Sequence, residues 1–77
     1  MPLIHQIGTI RIYIYAADHN PPHFHARAKD GVEAIIRISD LSVMLDSGVS
    51  GKVLREVLAW ALDNQELLRL RWDELRE

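Results

Sequence analysis

The hydrophobic period of this chain changes once, and that change limits the folds open to it. From residue 9 to residue 46 apolar side chains recur at every second position, and beyond Gly48 they recur at every third or fourth. Ile10, Ile12 and Ile14 alternate with Arg11, Tyr13 and Tyr15, the pattern of a strand with one buried face. Phe24, Ala26 and Ala28 alternate with His23, His25, Arg27 and Lys29. Val32, Ala34, Ile36 and Ile38 alternate with Glu33, Ile35 and Arg37. Together with Leu41, Val43 and Leu45, these runs predict an antiparallel sheet of three to four strands, over about 9–16, 23–29, 32–38 and 42–46. Asp30-Gly31 predicts a tight hairpin, because glycine accepts the positive φ of a primed turn. The residues before Gly8 show no pattern, and His5 among them reads as a bystander.

After Gly48, Ser50 is placed to cap a helix over about 51–63 whose stripe is Val53, Leu54, Val57, Leu58, Ala61 and Leu62,. Asn64 breaks the pattern and can start a second helix over about 65–76, with Leu68, Trp72 and Leu75 on one face. Trp60 and Trp72 read as core or inter-helix packing. The fold class is α+β, with both helices packed on the Ile10, Ile12, Ile14, Phe24, Ile36 and Ile38 face of the sheet.

At 77 residues the chain holds one core, so 1–77 is read as a single domain,. It has no cysteine, which excludes disulfides and thiolate metal sites,. Nine basic residues stand against eleven acidic ones, a balance that argues against a strongly basic nucleic-acid module,. No apolar run approaches the roughly eighteen residues of a membrane span, and the start lacks the pattern of a signal peptide. The expected location is the cytoplasm.

One stretch concentrates chemistry: Asp18-His19-Asn20-Pro21-Pro22-His23-Phe24-His25. Proline sets φ and biases its predecessor away from helix, so Asn-Pro-Pro makes a stiff, extended turn. His23 and His25, two apart on a strand, leave the same face, while Phe24 points to the core. Two imidazoles in that relation can hold a divalent metal, with His19 or Asp18 as third ligand. The same residues can instead tie down a turn by hydrogen bonds. The face that His23 and His25 share also carries Arg11, Tyr13, Tyr15, Arg27, Lys29 and Arg37, with Glu33 as its one acid. Tyrosine and arginine there suit a protein interface, or stacking on bases and holding phosphates.

The motif His19-Asn20-Pro21-Pro22-His23-Phe24-His25-Ala26, behind an Ile/Tyr strand that starts near Gly8, resembles a small prokaryotic family, domain of unknown function 4160. The resemblance extends over Met1-Pro2, Gly31, Ala34, Ile36, Trp60, Glu66-Leu67 and Trp72. It implies a stand-alone bacterial protein, encoded beside a second small protein in an arrangement like that of a toxin–antitoxin pair. The family carries no established catalytic residues, so the resemblance marks His19 to His25 as a candidate site without assigning roles. Asn64 stands where many members have His, and Ser47-Gly48-Val49-Ser50-Gly51 stands where a Leu-Pro pair is usual.

Three readings follow. The leading one is a non-enzymatic interaction module without cofactor. It binds a protein partner, the product of the adjacent gene, through Tyr13, Tyr15, His19, Asn20, His23, His25, Arg27 and Arg37, with a homodimer as a close variant. The second is a metal-independent RNA-cleaving toxin. There His23 or His25 moves the proton and Arg11, Arg27 or Arg37 holds the phosphate. The third is a zinc- or nickel-binding protein whose ligands come from Asp18, His19, His23 and His25.

Overall fold

A computed structural model describes residues 3–76. Met1 and Pro2, which contribute to the resemblance, and Glu77, at the end of the expected domain, lie outside the described residues. Five strands come first: β1 (Leu3–Ile7), β2 (Ile10–Tyr13), β3 (His23–Arg27), β4 (Glu33–Arg37) and β5 (Val43–Asp46). Helices α1 (Gly51–Asp63) and α2 (Gln65–Glu74) follow. The strands form one antiparallel sheet in chain order, β1-β2-β3-β4-β5.

The α+β class holds, but the sheet has five strands where the alternation predicted three to four. The additional one is β1. Its pairing with β2 slips between Leu3 and His5, and such a bulge shifts which residues face the core. The run therefore does not alternate, and periodicity alone misses it. Gly8 sits at φ 57° in the two-residue loop between the paired Ile7 and Ile10. Glycine enters this left-handed region without the Cβ clash.

The other strands are shorter than their hydrophobic runs. β2 stops at Tyr13 rather than residue 16, although Ile14 beyond it is fully buried. Its ladder ends where Leu3 of β1 and His25 of β3 make the last pairs, both with Tyr13. The β3–β4 connection is also wider than a tight Asp-Gly hairpin. The Ala28 N–H donates to the Val32 carbonyl at 2.8 Å, and the Gly31 N–H donates back to the Ala28 carbonyl at 3.1 Å. The predicted bounds of α1 agree with the structure. α2 ends two residues earlier than its apolar pattern, and the Leu75 and Arg76 N–H groups close its last turn on Arg71 and Asp73.

The core lies between the sheet and the helices. Ile12, Ile14, Phe24, Ile36, Val57 and Leu68 are its largest fully buried side chains, each contributing on the order of 1.5–3 kcal/mol by burial. Ser50 caps α1, its hydroxyl accepting from the Val53 N–H at 3.2 Å. Trp60 of α1 meets the edge of Phe24 (centroids 6.5 Å apart, planes at 81°) and stacks on His5 (4.7 Å, 3°). His5 is thus part of the helix-facing packing rather than a bystander.

Both helices bury residues in one cluster, but α2 does not lie beside α1 across the flat of the sheet. Its first residue, Gln65, donates to the Ile38 and Ser39 carbonyls at 2.7 and 3.0 Å, just past β4. Arg76, just after its end, reaches the Ala16 and Asp18 carbonyls, just past β2. α2 therefore crosses the end of the sheet. Five strands span roughly 19 Å and one helix covers about 10 Å, so β5 stays outside the shelter. All four of its residues are exposed.

Candidate functional site at the entry to β3

β3 enters the sheet through His23-Phe24-His25. Phe24 is fully buried and anchors the strand, so the alternation sends both imidazoles to the opposite face. The loop from Ile14 to Pro22, with a cis Asn20–Pro21 bond, carries Asp18 back to that point.

The end of the chain holds this loop. Arg76 donates from Nη1 to the Ala16 carbonyl and from Nη2 to the Asp18 carbonyl, both at 3.0 Å. Its guanidinium lies 3.5 Å above the Trp72 ring, a stacked cation–π contact. The Trp72 ring in turn packs against His23, with centroids 5.3 Å apart.

The polar groups converge on a single oxygen. Asp18 Oδ2 accepts a hydrogen bond from His25 Nε2 at 3.0 Å and lies 3.1 Å from His23 Nε2. The two rings are 5.2 Å apart. The three side chains are mostly covered, at 11% (His23), 12% (His25) and 22% (Asp18) exposure.

The far side of each ring differs. His23 Nδ1 is 2.8 Å from the Pro21 carbonyl oxygen. A carbonyl can only accept, so that nitrogen carries the hydrogen, and in the neutral ring Nε2 presents its lone pair toward Asp18. His25 Nδ1 is buried with no hydrogen-bond partner, and Glu33 Oε2 stands 3.6 Å away. Tyr15 meets the His25 ring edge-on at 4.8 Å. Burial pushes the Tyr15 hydroxyl above its ordinary value, against the opposing pull of the Arg27 charge.

The other predicted site residues do not join the cluster. His19 and Asn20 follow Asp18 directly but are exposed, and the group able to share one ion is Asp18, His23 and His25. His19 is therefore not brought in as a third ligand, because the chain turns outward after Asp18. Arg37 is bound within its own turn, 3.1 Å from Ser42 Oγ and 3.2 Å from Asp40 Oδ1. Arg11 and Arg27 face each other across β2 and β3, both exposed. Tyr13 stacks on Tyr15 at 5.6 Å. Asn64 closes α1 by donating to the Trp60 carbonyl at 2.8 Å.

Three contributors escaped the sequence reading: Arg76, Trp72 as a wall for His23, and Glu33 as the neighbour of His25. Glu33 was legible in part, since a hairpin that pairs Arg27 with Glu33 and His25 with Ile35 sets it diagonal to His25. Nothing local marks Arg76, which acts some sixty residues away in sequence.

Fold and site together define a small α+β domain, a five-stranded meander backed by two helices with an imidazole–carboxylate cluster at the entry to its central strand. Residues 9–73 match the family model described as Domain of unknown function (DUF4160), and the chain belongs to that family. The match spans the His19 to His25 stretch, all of α1 and α2 up to Asp73. No curated protein and no solved structure matches the chain. Among the described residues no helix is long and apolar enough to cross a membrane.

Proposed function

We propose that the protein is a non-enzymatic interaction module, one member of a toxin–antitoxin-like pair, that binds the product of the adjacent gene through the sheet face no helix covers. The observation that carries this reading is a continuous row across four strands. Tyr13 pairs with His25, His25 with Ile35, and Ile35 with Leu45. The row leaves aromatic and apolar surface half-exposed on a face away from the core, and Arg11, Arg27 and Arg37 border it. An apolar, aromatic centre with an arginine-bearing rim is the usual anatomy of a protein interface.

The row ends on β5, whose outer edge has no neighbouring strand among the described residues and whose Val43, Met44 and Leu45 are 41–46% exposed. Unpaired main-chain groups of this kind accept an added strand. Arg11 and Arg27 make no ion pair among the described residues, so the complementary surface supplies carboxylates there. Among the described residues, beyond Asp18, which the histidines engage, and Asp40, which Arg37 engages at the rim, Glu33 is the one acid on the strands of this face. A different protein with an acidic, apolar-centred surface is therefore a better complement than a second copy. The rings of His23 and His25 turn onto Asp18 and are nearly covered, which counts against proton transfer to a substrate and leaves Tyr13, Ile35 and Leu45 as the accessible part of the row.

The test is co-expression with the neighbouring gene's product, followed by size-exclusion chromatography with light scattering. A stable complex is expected, weakened at least about tenfold by Arg27→Glu, since a like charge set against a carboxylate costs more than 1.4 kcal/mol. A chain that stays monomeric and ignores its neighbour overturns the proposal.

A further inference from the structure

The interface reading leaves the convergence on Asp18 unexplained, and a separate role follows from its chemistry. We propose that Asp18 Oδ2, His23 Nε2 and His25 Nε2 form a binding site for a zinc-class divalent cation, with Pro21 and Glu33 as the outer groups that orient the two rings.

Donor geometry is the first support. The three ligand atoms lie within 4.8 Å of one another, and the two nitrogens stand 3.0 and 3.1 Å from the shared oxygen. Tetrahedral zinc with bonds of 2.0–2.2 Å sets its ligand atoms roughly 3.4 Å apart. The two nitrogen–oxygen separations need to open by only a few tenths of an ångström to admit the ion, while the two nitrogens, within 4.8 Å of each other, close toward the same span. Two imidazoles and one carboxylate, with no cysteine in the chain, make a three-ligand set that leaves further coordination positions open.

The second support lies behind the rings. A metal-bound imidazole characteristically donates its other N–H to a carbonyl or carboxylate, which sets its tautomer and orientation. His23 Nδ1 already does so to the Pro21 carbonyl at 2.8 Å. His25 Nδ1 faces Glu33 Oε2 at 3.6 Å and is buried without a partner.

With both rings neutral, a metal-free account strains at each of them. With the hydrogen on His23 Nδ1, the His23 Nε2 lone pair faces an Asp18 oxygen, acceptor against acceptor. With the His25 hydrogen on Nε2, the Nδ1 lone pair is buried toward a second carboxylate, and an unpaired buried polar atom costs about 1–3 kcal/mol. A cation at the convergence resolves both conflicts. Each Nε2 then directs its lone pair to the ion, and each Nδ1 carries a hydrogen toward Pro21 or Glu33. The divalent charge also balances the two carboxylates.

The test uses the full chain alone, stripped with chelator and titrated with zinc chloride at neutral pH by calorimetry. One equivalent should bind, while magnesium and calcium, which prefer all-oxygen shells, should not compete. Asp18→Asn and His25→Gln should each abolish saturable binding. Glu33→Gln should weaken it about 10- to 100-fold, the usual effect of removing an outer-shell partner. His19→Ala, altering an exposed residue beside the site, should leave it unchanged. X-ray absorption on the zinc-loaded parent should read two imidazoles plus oxygen, a result that depends on no variant folding. Absence of saturable zinc binding overturns the proposal, as does binding that survives Asp18→Asn and His25→Gln, or binding lost in His19→Ala. None of these measurements involves the partner, so they fail or succeed independently of the interface reading.

Discussion

Asp18 and Asp40 stand in loops and Asp46 closes β5, and what each carboxylate meets separates them. Asp46 accepts from the Gly48 N–H at 3.0 Å and the Val49 N–H at 2.9 Å, and Asp40 accepts from the Ser42 N–H at 3.0 Å. These backbone donors hold both carboxyls below their ordinary values, the Gly48 bond leading for Asp46 and the Ser42 bond for Asp40. A depressed folded value means that the ionised form stabilises the fold. That stability is fully present above the ordinary aspartate range and is lost as pH falls through the folded value. Accordingly, the advantage of the parent over Asp46→Asn in urea midpoint should be constant near neutrality and shrink in acid, and carbon NMR should show Asp46 titrating below a free aspartate. An advantage independent of pH would contradict this account. The turn role of these two residues was readable locally, because aspartate bonds its own backbone two residues on. Asp18 was readable only as an acid near histidines, since its partners arrive from β3 and from beyond α2.

At the scale of elements, the clearest local signals gave the most accurate boundaries. α1 has a cap, a regular stripe and a breaker, and its observed limits match those read from the pattern. β1 was lost to a bulge, and β2 was read too long because Ile14 stays in the core after its ladder has ended. The position of α2 across the end of the sheet has no counterpart in its own periodicity. It follows from Gln65 at one end and Arg76 at the other. Arg76→Ala should therefore loosen a distant segment rather than its own helix. Two hydrogen bonds of about 0.5–1.5 kcal/mol net each correspond to roughly fivefold or more faster amide exchange at Asp18, whose N–H bonds the Tyr15 carbonyl at 3.2 Å. Amides of Ile12 and Ala26 in the sheet should exchange at the parent rate. Uniform acceleration throughout the chain would show instead that Arg76 supports global stability.

The molecule as a whole is small enough that each large core residue matters. Leu68 is fully buried on α2. Leu68→Ala should cost about 2–5 kcal/mol and lower the midpoint of thermal unfolding by more than about 8 °C for a domain of this size. A drop of only a degree or two by circular dichroism would mean that α2 packs on the sheet far more loosely than described. At this scale the small net charge of −2 proves uninformative, because Arg11 and Arg27 gather on one uncovered face while acids elsewhere outweigh them. From the sequence alone came the single small core, the exclusion of thiol chemistry, the type of most elements and the face of most strand residues. These depend on composition and on the two- and 3.6-residue periods, which act between near neighbours. The tertiary structure alone decided that the histidines meet on Asp18 while His19 does not, that Glu33 stands behind one ring, that Trp72 and Arg76 close the site, and that β5 is left uncovered. These outcomes depend on loop paths, strand register and the placement of a helix. Contacts across dozens of residues set them, and no short-range period records such contacts.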